Sequence, residues 1–516
     1  VATSHTNRPT KLEGLKEHPS SLGRTDAFAQ ATLLDLYDPD RLDTVRQDGH
    51  ERDYQALVSA LRPVLERIAT NQGAGLHLLT ETVTSPTFGR QMAQLRERFP
   101  QLRWHQYEPA NRDNARQGAL DAFGVYVQTL YDFKKAALVL SLDADFLCVG
   151  PGRVRYAADF ADARDADNGA MNRLYVAECA PTLTGANADH RLSQPFSQIE
   201  TLARALARLL GVSGVEVDAE AVRALPEAWV NAVAQDLRAA GRGRSIVIPG
   251  DGQPPAVHAL AHVLNDALGN VGETVLYKNP IEVEPTDQTA SLRGLVEDAA
   301  AGRIELLVIL GGNPVYNAPA DIDVLGALEA LRGKTTVHLT SHFNETSAHC
   351  AWAVPEAHFL EAWGDVRGHD GVASIVQPLI LPLYPDAKSA HEILALLLGE
   401  ENAYGLDIVR ETWQSTLDDN AWKTALSRGI IQGTAAAAAR LPQPPQPPGP
   451  HTPPPRSGVD VVFRTDPGVY DGRFANNGWL QELPRPLTKL TWDNAVLLSR
   501  ATAAKLGVRD EDLVEV

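Results

Sequence analysis

Residues 245–268 read SIVIPGDGQPPAVHALAHVLNDAL. Ser245 to Ile248 is a short apolar strand, Pro249-Gly250-Asp251-Gly252 turns the chain, and apolar residues then recur at helical spacing from Ala256 to Leu268. A strand, a glycine turn and a helix in immediate succession is the building unit of a parallel sheet, whose neighbouring strands need a crossover between them. The unit recurs on both sides of this stretch. Strands are expected at Gly75 to Leu79, Leu102 to Tyr107, Ala137 to Leu142, Leu174 to Ala177, Ile304 to Leu310 and Thr336 to Thr340. Helices are expected at Tyr54 to Thr70, Arg90 to Phe99, Gly118 to Tyr131, Gln198 to Leu210, Ala219 to Ala239 and His391 to Leu398. Most of the strands are near-continuous apolar runs, as strands covered on both faces are. The fold class is therefore α/β with two doubly wound, mostly parallel sheets.

A chain of 516 residues exceeds what one hydrophobic core holds, so several domains are expected. Residues 1–50 carry turn chemistry (NRPTK, EHPSSLG, YDPDR) and read as an extended arm with one short helix from Asp26 to Tyr37, capped by Thr25 or Asp26. Residues 51–148 with 341–400 are assigned to a first α/β domain and 149–340 to a second. Residues 401–457 hold an alanine tract and the proline-rich stretch Pro442 to Pro455, and read as a semi-rigid linker. Residues 458–516 would begin a further domain, with a helix from Ala501 to Leu506 and a strand from Leu513. The chain starts at Val1 and stops at Val516 within apparent elements, as a fragment or a processed chain would.

Composition excludes some functions. A formal charge of −18 argues against a nucleic-acid surface, which needs a basic stripe. No apolar run approaches the length of a membrane span. Three scattered cysteines and no CxxC exclude a disulfide framework and argue against an iron–sulfur cluster held by this chain alone. His349, Cys350 and His358 lie close in sequence, but their spacing matches no common zinc pattern, and packed, hydrogen-bonded histidines are expected there. The acidic runs Asp159 to Asp167 and Asp510 to Asp512 read as solvated faces.

Two strand ends carry glycine turns of the kind that admit a phosphate: PGDGQP, with Gly250 and Gly252, and GGNP, with Gly311, Gly312 and Asn313. Such turns also serve only to reverse the chain, and neither is a Walker loop or a GxGxxG fingerprint. A third strand end, Ser141-Leu142-Asp143-Ala144-Asp145, places two carboxylates where a diphosphate would lie, a repulsion on the order of several kcal/mol if partly buried. One further stretch is distinctive: DPGVYDGRFANNGWLQELPRPLTKLTWDNA, Asp466 to Ala495. Its prolines and paired asparagines favour an ordered loop, with Trp479, Leu480 and Leu483 as anchors and Asp471, Arg473, Asn476 and Asn477 as polar groups.

Taken in order, these motifs resemble one family. NRPTKLEGLKEHPSSLG with YDPDR, PGDGQP with its helix, LLVILGGNPVY and CAWAVPEAHFLEAWGDVRGHDGVASIVQPLI are similar to successive segments of molybdopterin oxidoreductases. AECAPTLTGANADHR, GGNPVYNAPAD, NETSAHCAW, EAHFLEAWGD and the Asp466 to Ala495 stretch resemble the molybdopterin-oxidoreductase-like part of the iron–sulfur subunit of bacterial alternative complex III. The resemblance implies two molybdopterin-oxidoreductase-type sheet domains followed by the beginning of a C-terminal cofactor-binding-type β-barrel. It implies a cofactor-free scaffold, performing no catalysis itself, in a membrane-bound quinol:electron acceptor oxidoreductase of a respiratory or photosynthetic chain. Implied partners are a ferredoxin-like iron–sulfur domain, cytochrome c subunits and a quinol-binding membrane subunit, with iron–sulfur clusters and haems c in those neighbours. The implied location is peripheral, on the periplasmic face of the bacterial inner membrane.

Within the resemblance, catalytic members place a Cys, selenocysteine, Ser or Asp on molybdenum in the first sheet domain. The corresponding segment here is Thr80 to Gly89, TETVTSPTFG, which offers Ser85 or a threonine. The alternative reading is accordingly an active molybdopterin oxidoreductase with Ser85 on the metal and PGDGQP and GGNP around two pterin dinucleotides; a free-standing binding protein is a third. The cofactor-free reading makes Ser85, Asp143, Gly250, Gly252, Gly311, Gly312, Asn313, Arg473, Asn476 and Asn477 the lining of a vestigial pocket. In that reading the loop's arginine and asparagines bond across the cleft as an intramolecular clamp.

Overall fold

The computed structural model describes residues 1–450 and 458–515, so part of the proline-rich stretch lies outside the described residues. Each apolar run read as a strand between residues 75 and 340 is a strand, whereas the strand expected from Leu513 is absent among the described residues. Leu76–Thr80, Leu138–Leu142, Ser245–Pro249 and Leu306–Leu310 are buried at every position, which is why their sequences do not alternate. Helix starts follow side-chain caps: Asp26 accepts from Ala29 N–H at 2.8 Å, and Ser389 and Glu392 form a reciprocal capping box.

The strands build two main sheets. The larger has seven, in the order His50–Arg52, Val45–Gln47, Trp352–Pro355, Thr335–Thr340, Leu306–Leu310, Leu76–Thr80, Arg103–Gln106. Its last five are mutually parallel, and the hairpin of Val45–Gln47 and His50–Arg52 joins antiparallel at one edge. The smaller has four parallel strands, in the order His190–Ser193, Arg173–Glu178, Leu138–Leu142, Ser245–Pro249. Helices cover both faces of each. Leu61, Leu78, Leu95 and Leu394 share a core on one face of the larger sheet, and Leu79, Leu292, Leu307 and Leu328 on the other. Leu140, Leu206 and Leu264 pack on one face of the smaller sheet, and Phe133, Phe146 and Val176 on the other.

Strand pairing redraws the expected domain boundaries. Leu138–Leu142, assigned above to the first domain, pairs in the smaller sheet; Leu306–Leu310 and Thr335–Thr340, assigned to the second, pair in the larger. The chain leaves the larger sheet after Arg103–Gln106, builds the smaller one, and returns near Gln288. Local hydrophobicity marks a strand but carries no information on its partner, so an inserted domain is invisible to it. Residues 401–433 are not a linker: Gly405–Trp413 and Asp419–Arg428 are helices whose Val409, Trp413 and Trp422 form a core with the hairpin Gly364–Arg367 and Ala373–Val376. The described residues of 458–515, where a barrel was expected to begin, hold two short helices, Gly478–Glu482 and Arg500–Leu506, and no strand. Two helices were also drawn too long. The one beginning at Asp113 ends at Gly124, whose φ of +74° gives a left-handed cap, and Gln128–Tyr131 continues as a strand. Pro226 divides Ala219–Arg223 from Glu227–Ala239 because it cannot donate within a helix.

The arm at residues 1–50 is fastened by a buried ion pair. Arg41 donates to Glu361 at 2.8 Å with side-chain exposures of 2% and 0%. Glu361 also accepts from the His358 and Leu383 N–H groups, both at 2.8 Å, and Arg41 donates to Leu36 O at 3.0 Å. Both carboxylate oxygens and both terminal guanidinium nitrogens of the pair are thus bonded, and removing one partner strands the other's charge. Arg41→Met is expected to cost about 3–5 kcal/mol in urea unfolding, with the arm becoming protease-sensitive first; a loss under 1 kcal/mol contradicts this role.

Candidate functional site

In open parallel sheets, ligands collect at the carboxyl ends of strands. Here both carboxyl ends are met by one segment, residues 458–495, lying across them as a strap. The larger sheet ends in Thr80-Glu81, Gln106-Tyr107-Glu108, Leu310-Gly311-Gly312-Asn313 and Pro355-Glu356. Arg473 enters this edge from the strap. Its Nη2 lies 2.6 Å from Glu81, 2.7 Å from Asp471 and 3.9 Å from Glu108. The remaining opening, lined by Leu79, Glu81, Tyr107, Gly311, Asn313 and Asn317 among others, is ≈ 10 Å³, at the lower limit for one water molecule. Gly311 and Gly312 hold φ of +77° and +73°, and the Glu81 side chain comes within 4 Å of where their β-carbons would be.

The smaller sheet repeats the arrangement. Arg464 of the strap donates to Asp143 Oδ1 at 2.6 Å and lies 3.1 Å from Cys179 Sγ. Asp143 also accepts from Cys179 N–H at 3.2 Å and Gln253 Nε2 at 3.0 Å, and Asp145 accepts from Thr184 N–H at 2.8 Å. A β-carbon on Gly250 would sit 2.3 Å from Asp143 O, so this glycine is needed for the approach of protein backbone. Gly252 faces open space.

The strap is anchored along its length. Asn476 Nδ2 donates to Asp38 at 2.6 Å; Asn477 Nδ2 donates to Ala31 O at 2.8 Å and Asp35 at 2.6 Å. Asn477 Oδ1 also caps the short helix by accepting from Leu480 N–H. Phe28 packs between Tyr470 and Phe474, with centroids at 5.8 and 5.2 Å. Of the three apolar anchors expected, only Leu480 is buried; Trp479 and Leu483 are 52% and 47% exposed, since the helix turns one side alone toward Ala27–Leu36.

Ser85, read as a possible metal ligand, stands apart from the strap. Its hydroxyl caps helix Pro86–Arg98 by accepting from Phe88 N–H at 3.0 Å, and it donates to Asp365 at 2.5 Å. Asp365 is a buried hub that also receives Thr87 Oγ1 and Trp413 Nε1 at 2.6 and 2.8 Å. Asn313 accepts from Thr346 Oγ1 at 2.8 Å and donates to Glu345 at 2.7 Å. His338, His342 and His358 are likewise bonded, to Ser347 Oγ, Asp38 and Thr32 O. Sequence reading missed Glu81, Glu108, Glu356 and Arg464. The first three directly follow or nearly follow strand ends, which is the one signal that marks them.

Electrostatics at this edge are strained by burial. Desolvation raises the Glu81 carboxyl to about 7, with Glu108 and Asp471 adding to the rise and Arg473 opposing it. Glu356 is raised to about 7, first by burial and then by Glu81. Glu108 is raised, also chiefly by burial. Carboxylates thus stand beside both glycine turns: Glu81 next to Gly311 and Gly312, and Asp143 next to Gly250.

Comparison with protein families and with curated proteins returns no match. Among solved structures, acetylene hydratase from Pelobacter acetylenicus is similar, with a TM-score of 0.58 at 13% identity over 84% of this chain and 73% of that one. The architecture is thus a mixed α/β fold of molybdopterin-oxidoreductase type.

Two outcomes are expected. Replacing Arg473 and Asn476 together by alanine should destabilise the protein by about 2 kcal/mol with no ligand present, measured by thermal unfolding; an unchanged midpoint contradicts the clamp. Glu81 and Glu356 keep protons to higher pH when folded than when unfolded, where the ordinary value is 4.5. The native state therefore binds more protons between about pH 4.5 and 7 and loses stability as pH rises through that window. Glu356→Gln should stabilise by on the order of 1–2 kcal/mol at pH 8 and have little effect at pH 4; equal effects at both pH values contradict it.

Proposed function

We propose that this chain is a cofactor-free scaffold of molybdopterin-oxidoreductase fold. One observation carries the reading: the strand-end cleft of each sheet is bridged by an ion pair from within the chain, Glu81 with Arg473 and Asp143 with Arg464. A guanidinium that pairs with the sheet's own carboxylates holds the position where a ligand would need positive groups. In this reading no residue of the chain performs chemistry, and the fold acts by holding neighbours in register.

The finer assignment rests on the sequence motifs. Their likeness to the iron–sulfur subunit of alternative complex III supports a place in a membrane-bound quinol:electron acceptor oxidoreductase, on the periplasmic face of the bacterial inner membrane. The chain would contact a ferredoxin-like iron–sulfur domain, cytochrome c subunits and a quinol-binding membrane subunit, which would carry the clusters and haems. Among the described residues no helix is long and apolar enough to cross a membrane, so in this reading membrane attachment comes through those partners. The acidic surface, with a formal charge of −18, would favour a basic cytochrome.

Metal and pterin analysis of the purified protein tests the cofactor-free reading. Neither molybdenum nor tungsten should be present in stoichiometric amount, and acid extraction should release no pterin; one equivalent of either metal with pterin contradicts it. For the place in a complex, deletion of the chain should abolish assembly of the quinol-oxidising complex, and normal assembly and turnover without it would contradict that role.

A further inference from the structure

Away from both strand-end clefts, the edge of the larger sheet gathers a second set of chemically competent groups. His77 and His105 lie on adjacent parallel strands, Leu76–Thr80 and Arg103–Gln106, in the register His77 to Arg103 and Leu79 to His105. Side chains two apart on a strand share a face, so both imidazoles stand on the same side. There they meet Asp298 from helix Gln288–Ala300. The three residues are 2%, 4% and 1% exposed.

We propose that His77, His105 and Asp298 form a binding site for a divalent transition metal of the zinc class. His77 Nδ1 lies 3.0 Å from His105 Nε2 and 3.8 Å from Asp298 Oδ2. One ligand atom from each residue lies within 4.8 Å of the other two. Zinc–nitrogen bonds of 2.0–2.1 Å give a tetrahedral ligand-to-ligand edge of roughly 3.3 Å, which the first two distances bracket. Closure around an ion draws His105 Nε2 and the Asp298 carboxylate, which lie within 4.8 Å of each other, toward that edge length. The rings are parallel to within 8°, with centroids 5.2 Å apart.

The surrounding groups fit this role. His105 Nδ1 lies 3.0 Å from Ser291 O, and donation to that carbonyl leaves the Nε2 lone pair facing the cluster. A backbone acceptor on the far nitrogen is the usual way a ligating histidine is oriented. Two imidazoles and one carboxylate are the donor set that suits zinc and its neighbours. Without a metal, His77 Nδ1–H donates to His105 Nε2; on binding, that proton is released or moves to His77 Nε2.

Two arginines balance Asp298 when no metal is bound. Arg103 pairs with Oδ2, the oxygen that faces His77, and Arg303 pairs with Oδ1 at 2.6 Å. Their side chains are 52% and 56% exposed, so either can swing into water at small cost. Arg103 therefore competes with a metal for the same oxygen, whereas Arg303 does not. This asymmetry separates a metal site from a merely structural hydrogen-bonded cluster.

The test uses the full chain, dialysed against chelator and titrated with zinc chloride by calorimetry and with cobalt chloride by visible absorption. One saturable equivalent is expected, with cobalt bands of a nitrogen–oxygen donor set. Arg103→Ala should tighten binding about tenfold by removing the competing cation, Arg303→Ala should change it much less, and His105→Gln should abolish it. Absence of one-to-one binding by the wild type, undiminished binding by His105→Gln in a protein that circular dichroism shows to be folded, or no tightening in Arg103→Ala would each overturn the proposal. The wild-type and Arg103→Ala measurements decide the matter even if the histidine variant does not fold, since Arg103 is at the surface.

Discussion

Two guanidiniums of one segment meet two carboxylates at the carboxyl ends of two sheets, and the placing of that segment rests on those pairs. Parallel sheets place their strand ends, glycine turns and helix starts at one edge, which is where this fold type concentrates polar backbone. Left to themselves, Glu81, Glu108 and Glu356 at the larger sheet would be like charges partly removed from water, and Asp143 at the smaller sheet a buried lone carboxylate. Arg473 and Arg464 turn that liability into attachment. At the larger sheet the net effect is modest, because burial raises the Glu81 carboxyl to about 7 even with Arg473 beside it. What the strap gains is specificity of position, reinforced by Asn476 and Asn477 on the helix Ala27–Leu36 and the loop that follows it.

The strap also explains why the ends of the chain cooperate. The arm at residues 1–50 is held to the larger sheet by the buried Arg41–Glu361 pair, and the strap is held to the arm by Asp35, Asp38 and Phe28. Residues far apart in sequence therefore close over the same edge. The smaller sheet, inserted between Arg103–Gln106 and Leu306–Leu310, is reached by the same strap through Arg464. One segment thus contacts both units, so loosening it should be felt at each.

The sequence made the elements legible but not their partners. Buried strands such as Leu138–Leu142 and Leu306–Leu310 announce themselves as apolar runs, and caps such as Asp26 and Ser389 mark helix starts. Their sheet membership was misjudged because pairing is a long-range choice that no local pattern encodes. At the site, Asp143, Gly311, Gly312, Arg473, Asn476 and Asn477 were read as facing one pocket, and the structure divides them. Asp143 belongs to the smaller sheet, Gly311, Gly312 and Arg473 to the larger, and the asparagines reach the arm. Gly250 looked like a phosphate turn and instead admits the Asp143 carbonyl. Ser85 looked available and is a helix cap. Glycine and serine serve ligands and backbone by the same geometry, so only the neighbours distinguish the two uses.

The central claim is that the strap is seated by the protein's own groups, with no ligand required. Hydrogen exchange of the strap amides in chelator-dialysed protein tests it most directly. Leu480 N–H bonds to the buried Asn477 side chain, and Tyr470 and Asp466 bond each other's carbonyls at 2.9 and 2.8 Å. Slow exchange at these amides, comparable with that of helix Ala27–Leu36, is the predicted result. Fast exchange across residues 466–485, slowing only when a nucleotide or pterin is added, would contradict the account.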